Sequence, residues 1–356
     1  MPASAPNQSS LSHFPALQVR EATPSDQQRW ETFVESCPEA TFFHRFGWKK
    51  VIEEAFGHRI YLLLAECEGT IEGILPLGEI RSRFFGHSLI STPFCVYGGV
   101  AATTERARRL LTERACELAN ECGVQYLELR NREERNSDWQ RKDLYVTFRK
   151  EIDPDPEKNL LAIPRKQRAM VRKGIAANLE SVIDDDIERF FRAYSESVRN
   201  LGTPVFSKRY FRLLKETFGN DCELLTVVRD NELVASVMSF YFRDEVLPYY
   251  GGGKGIARDY KGNDFMYWEV MKRACQQGVR WFDYGRSKKG TGSYRFKTHW
   301  GFEPEPLHYE VKVLRGAEIP EVNPLNPKYA KFIAIWKRLP LSIANRIGPL
   351  IANDLG

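Results

Sequence analysis

YLLLAECEGTIEGILPL, residues 61–77, can be laid over ELLTVVRDNELVASVMS, residues 223–239, without a gap. Each copy is an apolar run, a polar turn and a second apolar run, with Glu68-Gly69 at one turn and Asp230-Asn231 at the other. That pattern is the signature of a β-hairpin. A match of this kind, taken with the similar elements after each copy, points to an internal duplication.

Outward from the hairpins the order of elements repeats. A glycine-rich strand end comes next in both halves, Tyr97-Gly98-Gly99 and Tyr250-Gly251-Gly252. Then comes a helix: Glu105 to Glu121 carries Ala107, Leu110, Leu111, Ala115 and Leu118 at helical spacing, and Asp264 to Gln277 carries Phe265, Trp268, Met271 and Ala274. Each helix stops at a glycine that supplies a left-handed cap and leads into a strand, CGVQYLEL (122–129) or QGVRWFDY (277–284). Between the repeats, EIDPDPEKNLL with its two prolines reads as a linker. Helices are also expected over Asp184 to Asn200 and over Ser207 to Phe218, the latter capped by Ser207.

A chain of 356 residues is too long for one ordinary core, so two domains are expected. The boundaries fall at 1–16 (a flexible leader), 17–150 (first domain), 151–314 (second, catalytic domain) and 315–356 (an amphipathic helical tail). With 42% apolar and 28% charged residues, the composition is that of a globular protein and argues against wholesale disorder. The net charge of +5 permits an anionic substrate or RNA without demanding either. Seven scattered cysteines with no CxxC, and six dispersed histidines, give no metal spacing and fit reduced thiols. The N-terminus lacks a signal peptide's charged start and apolar run, and no segment reaches the ~20 apolar residues of a spanning helix. A cytoplasmic location is expected. The tail, PKYAKFIAIWKRL and LSIANRIGPLIAN, either packs on its own domain or lies on an anionic membrane surface, which would put the chain at the inner face of the membrane.

Two stretches carry candidate chemistry. In IPRKQRAMVRKG, Arg165, Lys166, Arg168, Arg172 and Lys173 fall within roughly 160° of a helical wheel. Several sit in the first turns, where the helix dipole disfavours cations. Arginine forks suit phosphate, so a phosphate-bearing ligand is expected there rather than a merely solvated face. In RSKKGTGSYRFKTHWG (286–301), two glycines let backbone approach a ligand and Lys297 follows Phe296. Its ammonium suits an oxyanion or a phosphate, and the spacing alone does not choose.

The second half resembles the FemABX aminoacyl-transferases, a family of tandem GNAT-like domains. The residues that carry the likeness are KGNDFMYWEVMKRACQQGVRWFDYGRS and SYRFKTHWG, with the basic helix PRKQRAMVRKG before them and, more faintly, FHRFGW in the first half. RNLGTPVFSKRYF and the tail are similar to the FemAB-like subgroup found with exosortase (PEP-CTERM) and exopolysaccharide systems. The resemblance implies an α/β (α+β) fold of two tandem GNAT-like domains, each a mixed twisted sheet flanked by helices. It also implies a transferase that moves an aminoacyl or related acyl group to an amine of an envelope precursor, such as peptidoglycan or exopolysaccharide. It puts Lys297 and Asp283 in catalysis, and Tyr249, Tyr250, Arg286 and Phe296 in substrate binding beside Arg165, Arg168 and Arg172. No metal and no resident cofactor are implied, nor any contact with DNA. The donor would be aminoacyl-tRNA, although the helical arm with which some relatives grip tRNA is not evident.

Two alternatives stay open. One is an acyl-CoA-dependent N-acyltransferase on the same fold, although Arg258 to Asp264 lacks the R/Q-x-x-G-x-G/A spacing that holds pyrophosphate. The other is a non-catalytic member of an envelope-polysaccharide assembly.

Overall fold

Both aligned segments fold as hairpins, and they agree to the residue. In the first, β2 (Arg59–Cys67) pairs with β3 (Thr70–Ser82), and in the second, β10 (Cys222–Arg229) pairs with β11 (Glu232–Phe242). Both turn residues take positive φ in each: 48° and 79° at Glu68 and Gly69, 48° and 63° at Asp230 and Asn231. Two consecutive positive φ values give a turn whose twist matches that of the strands. Each hairpin also carries a bulge at the equivalent place, between Ala65 and Glu66 and between Val227 and Val228. Turn conformation and bulge position thus support the duplication independently of residue type.

The computed structural model describes residues 16–82, 86–316 and 329–355. The expected leader, but for residue 16, and Lys328 of the tail lie outside the described residues. The first half runs β1 (Gln18–Glu21), α1 (Gln27–Ser36), α2 (Gly47–Phe56), β2, β3, β4 (Gly86–Ser91), β5 (Ala101–Ala102), α3 (Glu105–Cys122), β6 (Tyr126–Asn131), β7 (Gln140–Arg141) and β8 (Tyr145–Glu151). The second runs α4 (Pro156–Ala162), α5 (Arg165–Ala176), β9 (Glu180–Asp184), α6 (Glu188–Leu201), α7 (Lys208–Phe218), β10, β11, β12 (Glu245–Gly253), α8 (Ala257–Tyr260) and α9 (Gly262–Gln276). After these come β13 (Trp281–Asp283), β14 (Ser287–Lys288), α10 (Gly292–His299), β15 (Pro304–Pro306), β16 (His308–Val313), α11 (Ala330–Trp336) and α12 (Leu341–Ala352). The expected linker is therefore partly helix: Asp155 caps α4 by accepting from the Glu157 amide, and Pro156 fills the first turn, where a missing N–H costs nothing.

The strands form two mixed sheets, as expected for tandem GNAT-like domains. In each, one parallel pair breaks an otherwise antiparallel order: β4 with β6, and β12 with β13. The last strand of each half crosses to the other lobe. β8 closes the first half in sequence but pairs antiparallel with β13, and β16 closes the second but pairs antiparallel with β6. Cuts at 150 and 314 therefore do not separate the sheets, which corrects the boundaries 17–150 and 151–314 as units of folding. The core is likewise shared. Phe42 of the first lobe stacks on Phe240 of the second with ring centroids 4.4 Å apart, and one apolar cluster contains both.

The tail packs on its own chain. Ala344, Gly348 and Ala352 of α12 are buried, Gly348 lies against the Val205 backbone, and Arg199 donates to the Leu339 carbonyl at 2.8 Å. No helix among the described residues is long and apolar enough to cross a membrane.

Candidate active site

β13 ends at Asp283, and the chain turns away from β12 through Tyr284 and Gly285, the latter at φ 66°. β12 pairs with β13 only through Glu245 and Val246, although it runs on to Gly253. The sheet therefore opens beyond that point. Tyr249 stands at the opening: a Cβ on Gly285 would lie 3.8 Å from its ring.

The turn after β13 is held from both sides. Asp283 accepts the Gly285 amide at 2.7 Å, the Tyr97 hydroxyl at 2.7 Å and the Thr147 hydroxyl at 3.1 Å. Tyr97 belongs to the first lobe and Thr147 to β8, so this buried carboxylate ties the lobes together. Lys297, on α10, reaches the turn from the other direction. Its ammonium donates to the carbonyls of Tyr284, Gly285 and Arg286 at 2.7, 2.8 and 3.1 Å. Three donors meet three acceptors, which is all an ammonium has. Burial pulls Lys297 down to about 7, and the Asp283 carboxylate opposes that.

This geometry corrects the oxyanion role expected of Lys297. The nitrogen is buried rather than presented to a cleft, and it has no hydrogen left for a substrate oxygen. Asp283, 1% exposed and with both oxygens engaged, is likewise placed to hold the turn rather than to meet a substrate.

The turn presents Arg286. Its guanidinium carbon lies 4.9 Å from the Tyr145 ring centroid and 5.8 Å from that of Tyr309, and Nη1 donates to the Tyr309 hydroxyl at 3.3 Å. Those tyrosines come from the exchanged strands β8 and β16, with ring centroids 5.3 Å apart. Among the described residues no carboxylate forms a salt bridge with Arg286. The same holds for Arg132, which lies over the Tyr97 ring at 5.2 Å. Two half-buried cations that form no salt bridge among the described residues thus flank the lobe junction, with Glu245, Asp283 and Glu305 acting on Arg132 from farther off.

The other expected residues separate into three places. Phe296 is half-buried among Tyr267, Tyr284 and Trp300. Tyr250 is buried, with its hydroxyl 2.8 Å from that of Tyr210. Arg165, Arg168 and Arg172, with Lys173, line a surface hollow of about 330 Å³ on α5. None of these four forms a salt bridge among the described residues. Of the acids that follow α5 in sequence, Asp184 pairs with Arg189 and Asp186 accepts the Glu188 amide.

α5 is fixed to the rest of the site. Gln167 and the Trp300 indole, the latter at 3.1 Å, both donate to Asp264 in the first turn of α9, and Pro164 packs on Gly301 just beyond α10. Burial raises the Asp264 carboxyl above its usual range, with the bonds from Gln167 and Trp300 opposing. Sequence reading missed Tyr97, Thr147 and Arg132. Only Tyr97 had a signal, since it stands at the repeat position of Tyr250. Among the described residues no cluster of His, Cys, Asp and Glu is arranged to hold a metal.

Residues 164–298 match the profile of the acetyltransferase (GNAT) domain. The structure resembles FemX, with a TM-score of 0.68 and 13% identity, covering 84% of this chain and 98% of that one. It also resembles a tandem GNAT protein from the clavulanic acid biosynthesis pathway (TM-score 0.55, 12% identity, 85% and 100% covered). A third likeness is to L-PGS from Bacillus licheniformis (0.51, 12%, 88% and 97%). Comparison with the curated proteins finds no match. At these identities the likeness is one of fold, that of two tandem GNAT-like domains.

Proposed function

We propose that this chain is a FemAB-like transferase that moves an aminoacyl or related acyl group to an amine of a phosphate-bearing envelope or exopolysaccharide precursor. The observation that carries the reading is the braced turn at residues 283–286, which sits where the second sheet opens and offers Arg286 without a carboxylate partner among the described residues.

Ester aminolysis needs a neutral amine brought to the carbonyl, and donors aimed at the oxygen that becomes negative. In this reading Lys297 and Asp283 act as positioning residues, fixing the backbone that carries Arg286. The guanidinium at the lobe junction meets the negative charge of the intermediate or of the bound precursor. The basic face of α5, tied to α9 and α10 through Asp264, takes the precursor's phosphates.

The donor favoured is aminoacyl-tRNA. The start of α9, where a CoA pyrophosphate would profit from the helix dipole, already holds the Asp264 carboxylate with Gln167 and Trp300 closed over it. The test is mass spectrometry of envelope saccharides from cells with and without the protein. Purified protein would also be given charged tRNA or acyl-CoA separately, with an amine acceptor. Loss of an aminoacyl substituent and turnover of charged tRNA support the reading. Productive use of acyl-CoA alone moves the chain to the CoA-dependent class, and unchanged saccharides with neither donor consumed overturn the enzymatic reading.

A further inference from the structure

Helices α11 and α12 bury one side and leave an apolar side uncovered. The inner stripe of α12 is Ala344, Gly348 and Ala352, spaced four apart. On another face stand Ile343 and Leu350, seven apart, 46% and 73% exposed. Phe332 and Ile335 of α11 and Leu201 at the end of α6 are also exposed, at 41%, 65% and 68%. Ile333 and Lys337 lie against Gly202, which brings α11 next to Leu201. Among the described residues, five of the eight exposed large apolar side chains thus lie on α11, α12 and the adjoining end of α6, the other three being Leu161, Ile175 and Ile183.

The charge of this segment is one-sided. Residues 326–353, NPKYAKFIAIWKRLPLSIANRIGPLIAN, hold five cations and no acid, in a chain with 47 acidic residues. Of the five, Lys331, Lys337, Arg338 and Arg346 are described; all four are exposed, and none is in a salt bridge among the described residues. An apolar face edged by such cations matches the surface of an anionic bilayer, where headgroups meet the ammonium and guanidinium groups and the acyl boundary takes the apolar side chains. A protein partner would need an apolar face with acids set around it to match, whereas an anionic bilayer offers acyl boundary and negative headgroups together over its whole surface.

We propose that the α11–α12 face is a peripheral docking surface for anionic lipid, with the helices lying in the plane of the interface. The helices stay packed on α6 while docked, so the face needs no unfolding to meet a membrane. The proposal is independent of the transfer reaction, because binding is measured with neither donor nor acceptor present.

The experiment is cosedimentation of the full chain with vesicles of phosphatidylcholine, with and without phosphatidylglycerol. Binding is expected only with phosphatidylglycerol and is expected to weaken as salt rises. Lys337→Ser with Arg338→Ser should weaken it roughly five-fold per cation removed. Ile335→Glu with Leu350→Glu should abolish it while leaving the thermal midpoint unchanged, since both side chains are exposed. Equal binding to neutral vesicles, no binding to either, or undiminished binding by both variants overturns the proposal. So does a concentration-dependent dimer that the glutamate variant disperses, which would give the face to a second copy of the chain.

Discussion

The hydroxyl of Tyr97, in the first lobe, donates to the carboxylate of Asp283, in the second, across 2.7 Å. Both groups are buried, and the same carboxylate holds the turn that presents Arg286. The bond therefore couples lobe packing to the geometry of the site. Tyr97→Phe keeps the ring and removes only the donor. It should cost about 2 kcal/mol, as expected for a bond to a charged group, read as a lower urea midpoint with an unchanged slope. An unchanged midpoint would mean that Thr147 and the Gly285 amide satisfy Asp283 without it.

Lys297→Met removes the ammonium and leaves the carbonyls of Tyr284, Gly285 and Arg286 without it. Stability should fall by roughly 3 kcal/mol or more, and activity should fall with it. A lysine that met only the substrate would behave differently, losing activity at constant stability. Urea unfolding beside a turnover assay separates the two, and full stability in the variant would restore the direct role that its place in the sequence first implied.

What could be read from the sequence came from local periodicity. Residues 61–77 and 223–239 announce hairpins because alternation and turn residues are local, and α3, α7 and α9 show themselves in apolar spacing and caps. Asp155-Pro156 is also a local helix start, but two prolines in close succession favoured a linker reading. The exchange of β8 and β16 left no such trace. YVTFRKE and HYEVKV each read as a strand, yet nothing within either says which sheet it joins. The basic faces of α5 and of residues 286–297 were legible as charge. That Lys297 uses all its hydrogens on backbone depends on a turn that exists only in the folded chain.

Arg286 is half-buried and donates to the Tyr309 hydroxyl across a long 3.3 Å. Arg286→Lys keeps the charge and loses the fork that lies over the two tyrosines. Catalytic efficiency is expected to fall by at least ten-fold while the unfolding free energy from urea titration changes by less than about 0.5 kcal/mol. In contrast, Arg168→Ser with Arg172→Ser should raise KM for a phosphate-bearing acceptor and leave kcat nearly unchanged. An equal effect of all these changes on folding would remove the distinction between site and scaffold.

His44 supplies a pH dependence. It is buried, its Nδ1 accepts the Thr41 amide at 3.0 Å, and its Nε2 therefore donates to the Gly99 carbonyl at 2.8 Å. Burial lowers it from 6.5 to about 4. Between those values the unfolded chain binds the proton and the folded chain does not, so stability falls as pH falls through that window, by about 3 kcal/mol in all. His44→Gln keeps a donor for Gly99 and does not titrate. Urea midpoints at pH 7 and near pH 4.5 should differ less in the variant than in the wild type, and equal pH dependence would place the titration elsewhere.

The exchanged strands make the halves interdependent. Residues 17–150 expressed alone would hold β6 with an open edge where β16 belongs, and β8 with no sheet to join. An unpaired internal edge exposes a row of backbone donors and acceptors to other chains. Each half alone should therefore aggregate or lack cooperative unfolding, whereas the two expressed together should copurify, because β8 and β16 each supply the other lobe's missing ladder. The 4.4 Å stack of Phe42 on Phe240 gives the same pair a shared core, so Phe240→Ala should weaken copurification as well as the intact chain. A soluble half that unfolds cooperatively by itself, with its sheet complete by hydrogen exchange, would show that the exchange is a contact between independent domains and not a condition of folding.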